Sequence, residues 1–133
     1  MTELDWLLER LTLAVHGVRY AVVLSPDGFP LGRSPGVTEE VAGHLAALSA
    51  GVQGLAGGVA LRFGQGDVTS TIVEMQYALL FITPAGQGTC LALLAESSVD
   101  AGQVAYEMAV LIKRVGLHMI VDPRSPAQRP LVR

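Results

Sequence analysis

The chain has 133 residues, half of them hydrophobic and 16% charged, with a formal net charge of −3. That composition supports one folded domain with a sizeable core and excludes global disorder. The last eleven residues hold Arg124, Arg129 and Arg133 and no acid, so the rest of the chain is more acidic than the total, which argues against nucleic acid as the main partner.

In chain order, Thr2 and Asp5 have capping-box spacing, and Leu4, Leu7, Leu8, Leu11 and Val15 form one helical stripe. Gly17 is the expected helix stop. The apolar run Tyr20–Leu24 then meets Ser25-Pro26-Asp27-Gly28 and the run Phe29–Gly32, a hairpin pattern. Pro30 makes the second strand short or places it at an edge.

A helix without a polar face follows, expected over Thr38–Ala56. Between Ser34 and Leu61 there is no Lys or Arg, and the only acids are Glu39 and Glu40 at its start. Val41, Leu45, Leu48, Val52 and Leu55 recur at heptad spacing, flanked by the small residues Gly43, Ala47, Ala50, Gly54 and Gly57. A helix apolar or small all round needs cover on more than one side, and a chain of this length has little material to supply it. The expectation is a homodimer in which Val41, His44, Leu45, Ala47, Leu48, Ala50, Val52 and Leu55 lie at the interface. The competing reading wedges the helix between the sheet and the loops of one protomer.

Gly57-Gly58 and Gly64–Asp67 read as loop, and Val68–Gln76 as a β-branched strand. Leu79–Thr83, a turn at Pro84–Gly88, and Leu91–Ala95 make a second hairpin, apolar on both faces and so expected between two helix layers. Ser97 with Asp100 opens a last helix whose stripe is Ala101, Val104, Ala105, Met108, Leu111, Ile112 and Val115, with Gly116 as its stop. The expected fold is α+β: helix, two strands, helix, three strands, helix, with a five-stranded antiparallel sheet covered on both faces. The domain is expected over 1–122, and the Pro- and Arg-rich stretch 123–133 as a disordered tail.

The element order, Ser25-Pro26-Asp27-Gly28, the Gly/Ala-rich middle helix, and Leu80-Phe81-Ile82-Thr83-Pro84-Ala85-Gly86 before a last apolar strand together resemble the roadblock (dynein light chain) superfamily. The resemblance spans roughly Asp5–Gly116. It implies a dimer that pairs middle helices and joins edge strands, which adds Thr71 and Val73 to the interface. It also implies a small Ras-like GTPase as partner, and bacterial members include a regulator of a gliding-motility GTPase. Members similar to actinobacterial cluster components add a sensor kinase as a further expected partner.

Chemistry is sparse. The sole lysine, Lys113, follows no phosphate-cradling glycine loop, so no P-loop is present. His16, His44, His118 and Cys90 have no metal-ligand spacing, and no nucleophile-elbow pattern occurs. No enzyme activity, cofactor or metal is expected. Cys90 reads as a buried small hydrophobe. Without a signal-peptide pattern, or an apolar run of the roughly 18 residues that span a bilayer, the expected location is cytoplasmic. Trp6 and Leu13, with Arg10 between them, lie off the first helix's core stripe. With Glu39 and Glu40 as a polar rim they form the candidate partner-binding patch. The functional expectation is a non-catalytic scaffold that regulates a GTPase; the alternative is a small-molecule sensory domain.

Overall fold

The computed structural model of the chain describes residues 2–121. Helix α1 (Glu3–Ala14) leads into strands β1 (Val18–Leu24) and β2 (Pro30–Arg33). Helix α2 (Glu39–Arg62) follows, then β3 (Thr71–Glu74), β4 (Ala78–Gly86), β5 (Thr89–Glu96) and helix α3 (Ala101–Val121). The five strands form one antiparallel sheet in the order β2-β1-β5-β4-β3. This is the α+β fold expected from the sequence, with Pro30 opening an edge strand as its missing N–H requires. Stretch 123–133 lies outside the described residues, as does the domain boundary placed at 122.

The α1 stripe decides one face of the sheet. Thr2 and Asp5 form the capping box, and Leu4, Leu7, Leu8, Leu11 and Val15 are all buried. They join Ala21, Val23, Phe81, Leu91 and Leu93 from the sheet and Val104, Met108 and Leu111 from α3 in one core. On the opposite face α2 is the only helix among the described residues, over Val22, Leu24, Leu80, Ile82, Cys90 and Ala92. β5 runs through the middle and is buried on both faces, which explains its apolar run without alternation. Burial also pushes the Cys90 thiol above its ordinary value.

Several boundaries differ from expectation. Helix α2 continues through Gly57-Gly58 to Arg62 because Ala56, Val59, Ala60 and Leu61 around them are apolar and mostly strong helix formers. Phe63 caps it, and the chain turns away at Gly64, whose φ of +63° is the left-handed conformation open to glycine. The Gln65 amide donates to the Ala60 carbonyl at 2.9 Å and the Gly64 amide to Leu61 at 3.3 Å, the paired bonds of a Schellman motif. Helix α1 stops at Ala14, before Gly17, which occupies the turn into β1. Helix α3 passes through Gly116, and its cap is Asp100 alone, whose Oδ1 accepts from the Gln103 amide at 3.1 Å. In its stripe Ala101 and Ala105 are exposed, while Val115 lies outside the described side chains. Pro84–Gly86 belongs to β4, and the turn is Gln87-Gly88, both at positive φ, the two-residue hairpin that suits strand twist. β3 holds only four of the residues expected in the strand over Val68–Gln76.

One further correction concerns membranes. By length and composition α2 is long and apolar enough to cross a bilayer, contrary to the expectation from the sequence. Its glycines and alanines count as apolar and there is no basic residue before Arg62. In the fold its inward residues Ala42, Ala46 and Ser49 are seated on the sheet.

Asp5 ties α1 to the edge of the sheet. Its Oδ2 accepts from the Thr2 amide at 3.2 Å, and its Oδ1 accepts from the Arg33 amide at 2.8 Å. Partial burial works to raise its pKa, but those amide donors outweigh it and hold the carboxyl below its ordinary value. The carboxylate therefore contributes stability above its unfolded pKa, and that contribution is lost as pH falls through the folded value. Asp5→Asn should cost about 1 kcal/mol near neutral pH. Urea midpoints of wild type and variant should then converge between neutral pH and a pH below the folded value of the carboxyl, where both side chains are neutral. An unchanged gap at both pH values would refute the account.

Candidate functional site

The sheet-facing side of α2 is narrow. Ala42, Ala46 and Ser49 are fully covered. Val41, Leu45, Ala50 and Val52 pack partly against the same core, so this part of the expected interface set serves the protomer's own fold. Ala50 has a local reason to be small. The turn glycine Gly28, at φ +87°, approaches so closely that a Cβ added there would lie 3.3 Å from the Ala50 methyl and 3.4 Å from the Ala47 Cα.

The outward side is bare. Leu48 is 68% exposed, Leu55 76% and Val59 59%. The exposed positions His44, Ala47, Gly51, Gly54 and Gly58 run alongside them at helical spacing. An apolar ridge therefore borders a strip of small residues along several turns. A Cβ added at Gly51, Gly54 or Gly58 would meet nothing within 4 Å among the described residues. Each such glycine costs an isolated helix about 1 kcal/mol relative to Ala. Packing within the chain gives no reason for that cost; close approach by a second protein surface does.

The edge strand β3 continues this bare region. Thr71 is tied to α2, its hydroxyl donating to Gln53 Oε1 at 2.9 Å, and Val73 packs beneath the helix. The other edge of β3 faces no strand among the described residues. Ile72, paired with Phe81 on β4, is 56% exposed. Thr71 and Val73 thus sit where the outer edge of the sheet meets α2.

The candidate patch on α1 splits. Trp6 is 49% exposed and Leu13 79%, and the Arg10 guanidinium lies 5.4 Å from the centre of the Trp6 ring, a cation–π contact. Glu39 and Glu40 are exposed at the start of α2, on the opposite face of the sheet, so the fold does not bring them into one surface with Trp6. Reading residues by chain position could not show this, because it depends on which face each helix covers.

Two features escaped the sequence reading. The Arg33 Nη1 atom is buried without a hydrogen-bond partner among the described residues, as is the Ser49 hydroxyl oxygen. A groove of about 680 Å³ runs between α3 and the β3–β4 hairpin, lined mostly by apolar groups. The β-branched run Thr71–Val73 and the small residues Ala105 and Ala109 were the only sequence signals for it. Among the described residues, no group of three or more His, Cys, Asp or Glu side chains is placed to hold a metal ion.

Comparison with known proteins agrees with this architecture. The family model for the Roadblock/LC7 domain matches residues 4–95. A roadblock/LC7 domain from Streptomyces avermitilis is 42% identical, with a TM-score of 0.84 over 88% of this chain and 98% of that one. A second domain of this kind from the same organism is 34% identical, with a TM-score of 0.71 over 86% and 99%. MglB from Myxococcus xanthus is 18% identical, with a TM-score of 0.80 over 89% and 95%, a likeness of fold alone. None of the curated proteins matches the chain.

The glycine strip yields a test with opposite outcomes. On a water-exposed helix face, Gly54→Ala should stabilise by about 1 kcal/mol and raise the melting temperature by several degrees. On a face packed closely against another protein, the added methyl intrudes, and the melting temperature should fall. We expect the fall, read by thermal unfolding of the intact protein; a rise would show that water covers this face.

Proposed function

The chain belongs to the Roadblock/LC7 domain family, and from that membership we propose that it is a non-catalytic homodimeric scaffold that binds and regulates a small Ras-like GTPase. The observation that carries the dimer is the bare outer face of α2, with its exposed Leu48, Leu55 and Val59 beside glycines that pack on nothing among the described residues. A second copy supplies the missing cover: two such faces meet across a two-fold axis, and small residues let the backbones come close. The unpaired edge of β3 pairs with its own copy in the same arrangement, which extends the sheet and removes an edge open to aggregation. In this reading His44, Ala47, Leu48, Leu55, Thr71 and Val73 lie at or beside the interface.

The GTPase is supported by family resemblance, and the absence of a P-loop in the sequence supports a regulator over a nucleotide-binding enzyme. Contact with the partner is assigned to the α1 surface around Trp6, Arg10 and Leu13, with Glu39 and Glu40 as a separate acidic contact across the β2 edge. A cytoplasmic location and a sensor kinase upstream complete the proposal.

The dimer is tested by light scattering behind size exclusion at micromolar concentration, which should give twice the monomer mass. Leu55→Glu should yield a folded monomer, because the fold leaves Leu55 in solvent while the dimer would bury the charge without a partner. A wild-type monomer, or a Leu55→Glu dimer of undiminished affinity, would contradict the proposal.

The partner is tested by recovering Ras-like GTPases bound to the tagged protein in its native cell and measuring their affinity for the purified dimer. Trp6→Ala should weaken binding roughly thirtyfold, the effect of losing about 2 kcal/mol at an aromatic hot spot. Unchanged affinity would remove the α1 patch from the proposal. Failure to recover any GTPase in either nucleotide state would remove the function.

A further inference from the structure

Apolar and small residues can close the gap between two α2 faces, but they fix neither the direction in which the helices run nor which chain pairs with which. The charges of α2 hold that information. Its first turn carries Glu39 and Glu40 and its last turn Arg62. No Lys, Arg, Asp or Glu stands between Glu40 and Arg62. The two acids point differently. Glu39 lines a hollow of about 190 Å³ together with Pro30, Leu31 and Arg33, so it is turned toward its own β2. Glu40 is rotated from it by about 100° around the helix. From Glu40 the exposed residues His44, Leu48, Leu55 and Arg62 follow at i+4 and i+7 spacing, so acid and base stand at opposite ends of one outward stripe.

Within one chain Glu40 and Arg62 cannot meet, since the helix between them is about 33 Å long. Across the dimer proposed above, on which this inference rests, they can. A two-fold axis normal to the sheet that pairs β3 with its own copy also sets both α2 helices on one face, running in opposite directions. The bond from the Thr71 hydroxyl to Gln53 fixes where along α2 that axis falls, because it places the middle of the helix, and not an end, at the β3 edge. The midpoint between Glu40 and Arg62 is Gly51, about 3 Å along the helix from Gln53. Antiparallel pairing about that point sets the acid of one α2 level with the base of the other. We propose that Glu40 of each protomer pairs with Arg62 of the partner subunit, and that these two symmetry-related ion pairs, at the ends of an apolar seam, make the chain select its own copy in antiparallel register. Glu40 then belongs to the dimer, and Glu39 alone is the acidic contact offered to the GTPase. A parallel arrangement sets acid against acid and base against base. Exposed ion pairs add little affinity, whereas like charges in their place weaken association, so the role of these residues is selection.

The test uses the intact chain with Glu40→Arg, with Arg62→Glu, and with both substitutions together. Either single variant meets like charges twice, so its homodimer should dissociate about tenfold more readily at low ionic strength, read by sedimentation equilibrium. The double variant reverses both ends of each helix and restores the attraction, so it should recover wild-type affinity. It carries both substitutions, and its recovery separates pairing from damage to α2 itself. Mixed in equal amounts, the two single variants are complementary at both ends. Native mass spectrometry should then show the heterodimer as about nine-tenths of all dimers, against one half for random pairing, the bias that a tenfold loss in each homodimer gives. At about 1 M salt, where the screening length is ~3 Å, the bias should largely vanish.

A monomeric wild type overturns the dimer reading, and the ion pairs with it. A dimeric wild type overturns the ion pairs and leaves the dimer standing if its single variants associate as tightly as it does, if the double variant fails to recover, or if the mixed variants pair at random. A heterodimer bias that survives high salt likewise overturns the ion pairs.

Discussion

The structure depends on the cover missing from α2. A helix of 24 residues buries only Ala42, Ala46 and Ser49 fully in its own chain, while α1, half as long, buries four leucines. Small inward side chains let α2 lie close to the sheet but remove little apolar area from water. The larger side chains Leu48, Leu55 and Val59 point the other way. In a domain of this size such an arrangement is uneconomical for a monomer, since apolar burial is the main favourable term in folding. It becomes reasonable when the outer face is the inner face of a larger assembly.

The same constraint separates the two sides of the sheet. The α1–α3 side carries the protomer's own core, anchored by the capping box and by Asp5 holding the Arg33 amide. The α2 side carries a thinner core and the apolar surplus. β3 stands at the boundary, tied to α2 through Thr71 and Gln53 on one face and bare at Ile72 on the other. The proposed pairing of α2 faces therefore uses the side of the sheet opposite α1 and α3.

Much of this was legible in the sequence where a local rule acts alone. The stripe Leu4–Val15, the Asp27-Gly28 turn and the edge strand announced by Pro30 follow from periodicity and backbone stereochemistry. The glycines at 57, 58 and 116 misled, because a glycine in a long helix is tolerated when its neighbours continue the helix. The middle-helix heptad was harder. Val41, Leu45 and Val52 face the sheet while Leu48 and Leu55 face away, a division invisible until the helix is set on its sheet. Ala50 is small because Gly28 approaches it, a contact between residues distant in sequence. The acidic residues at 39 and 40 fell away from Trp6 for the same reason, since topology and not spacing chose the faces.

The central claim is that folding of this chain includes pairing of the α2 faces. Its most direct measurement is the melting temperature as a function of protein concentration. If two chains unfold and separate together, the midpoint should rise by on the order of 5 °C over a hundredfold increase in concentration. A midpoint independent of concentration over that range, at a mass of one chain, would contradict the account.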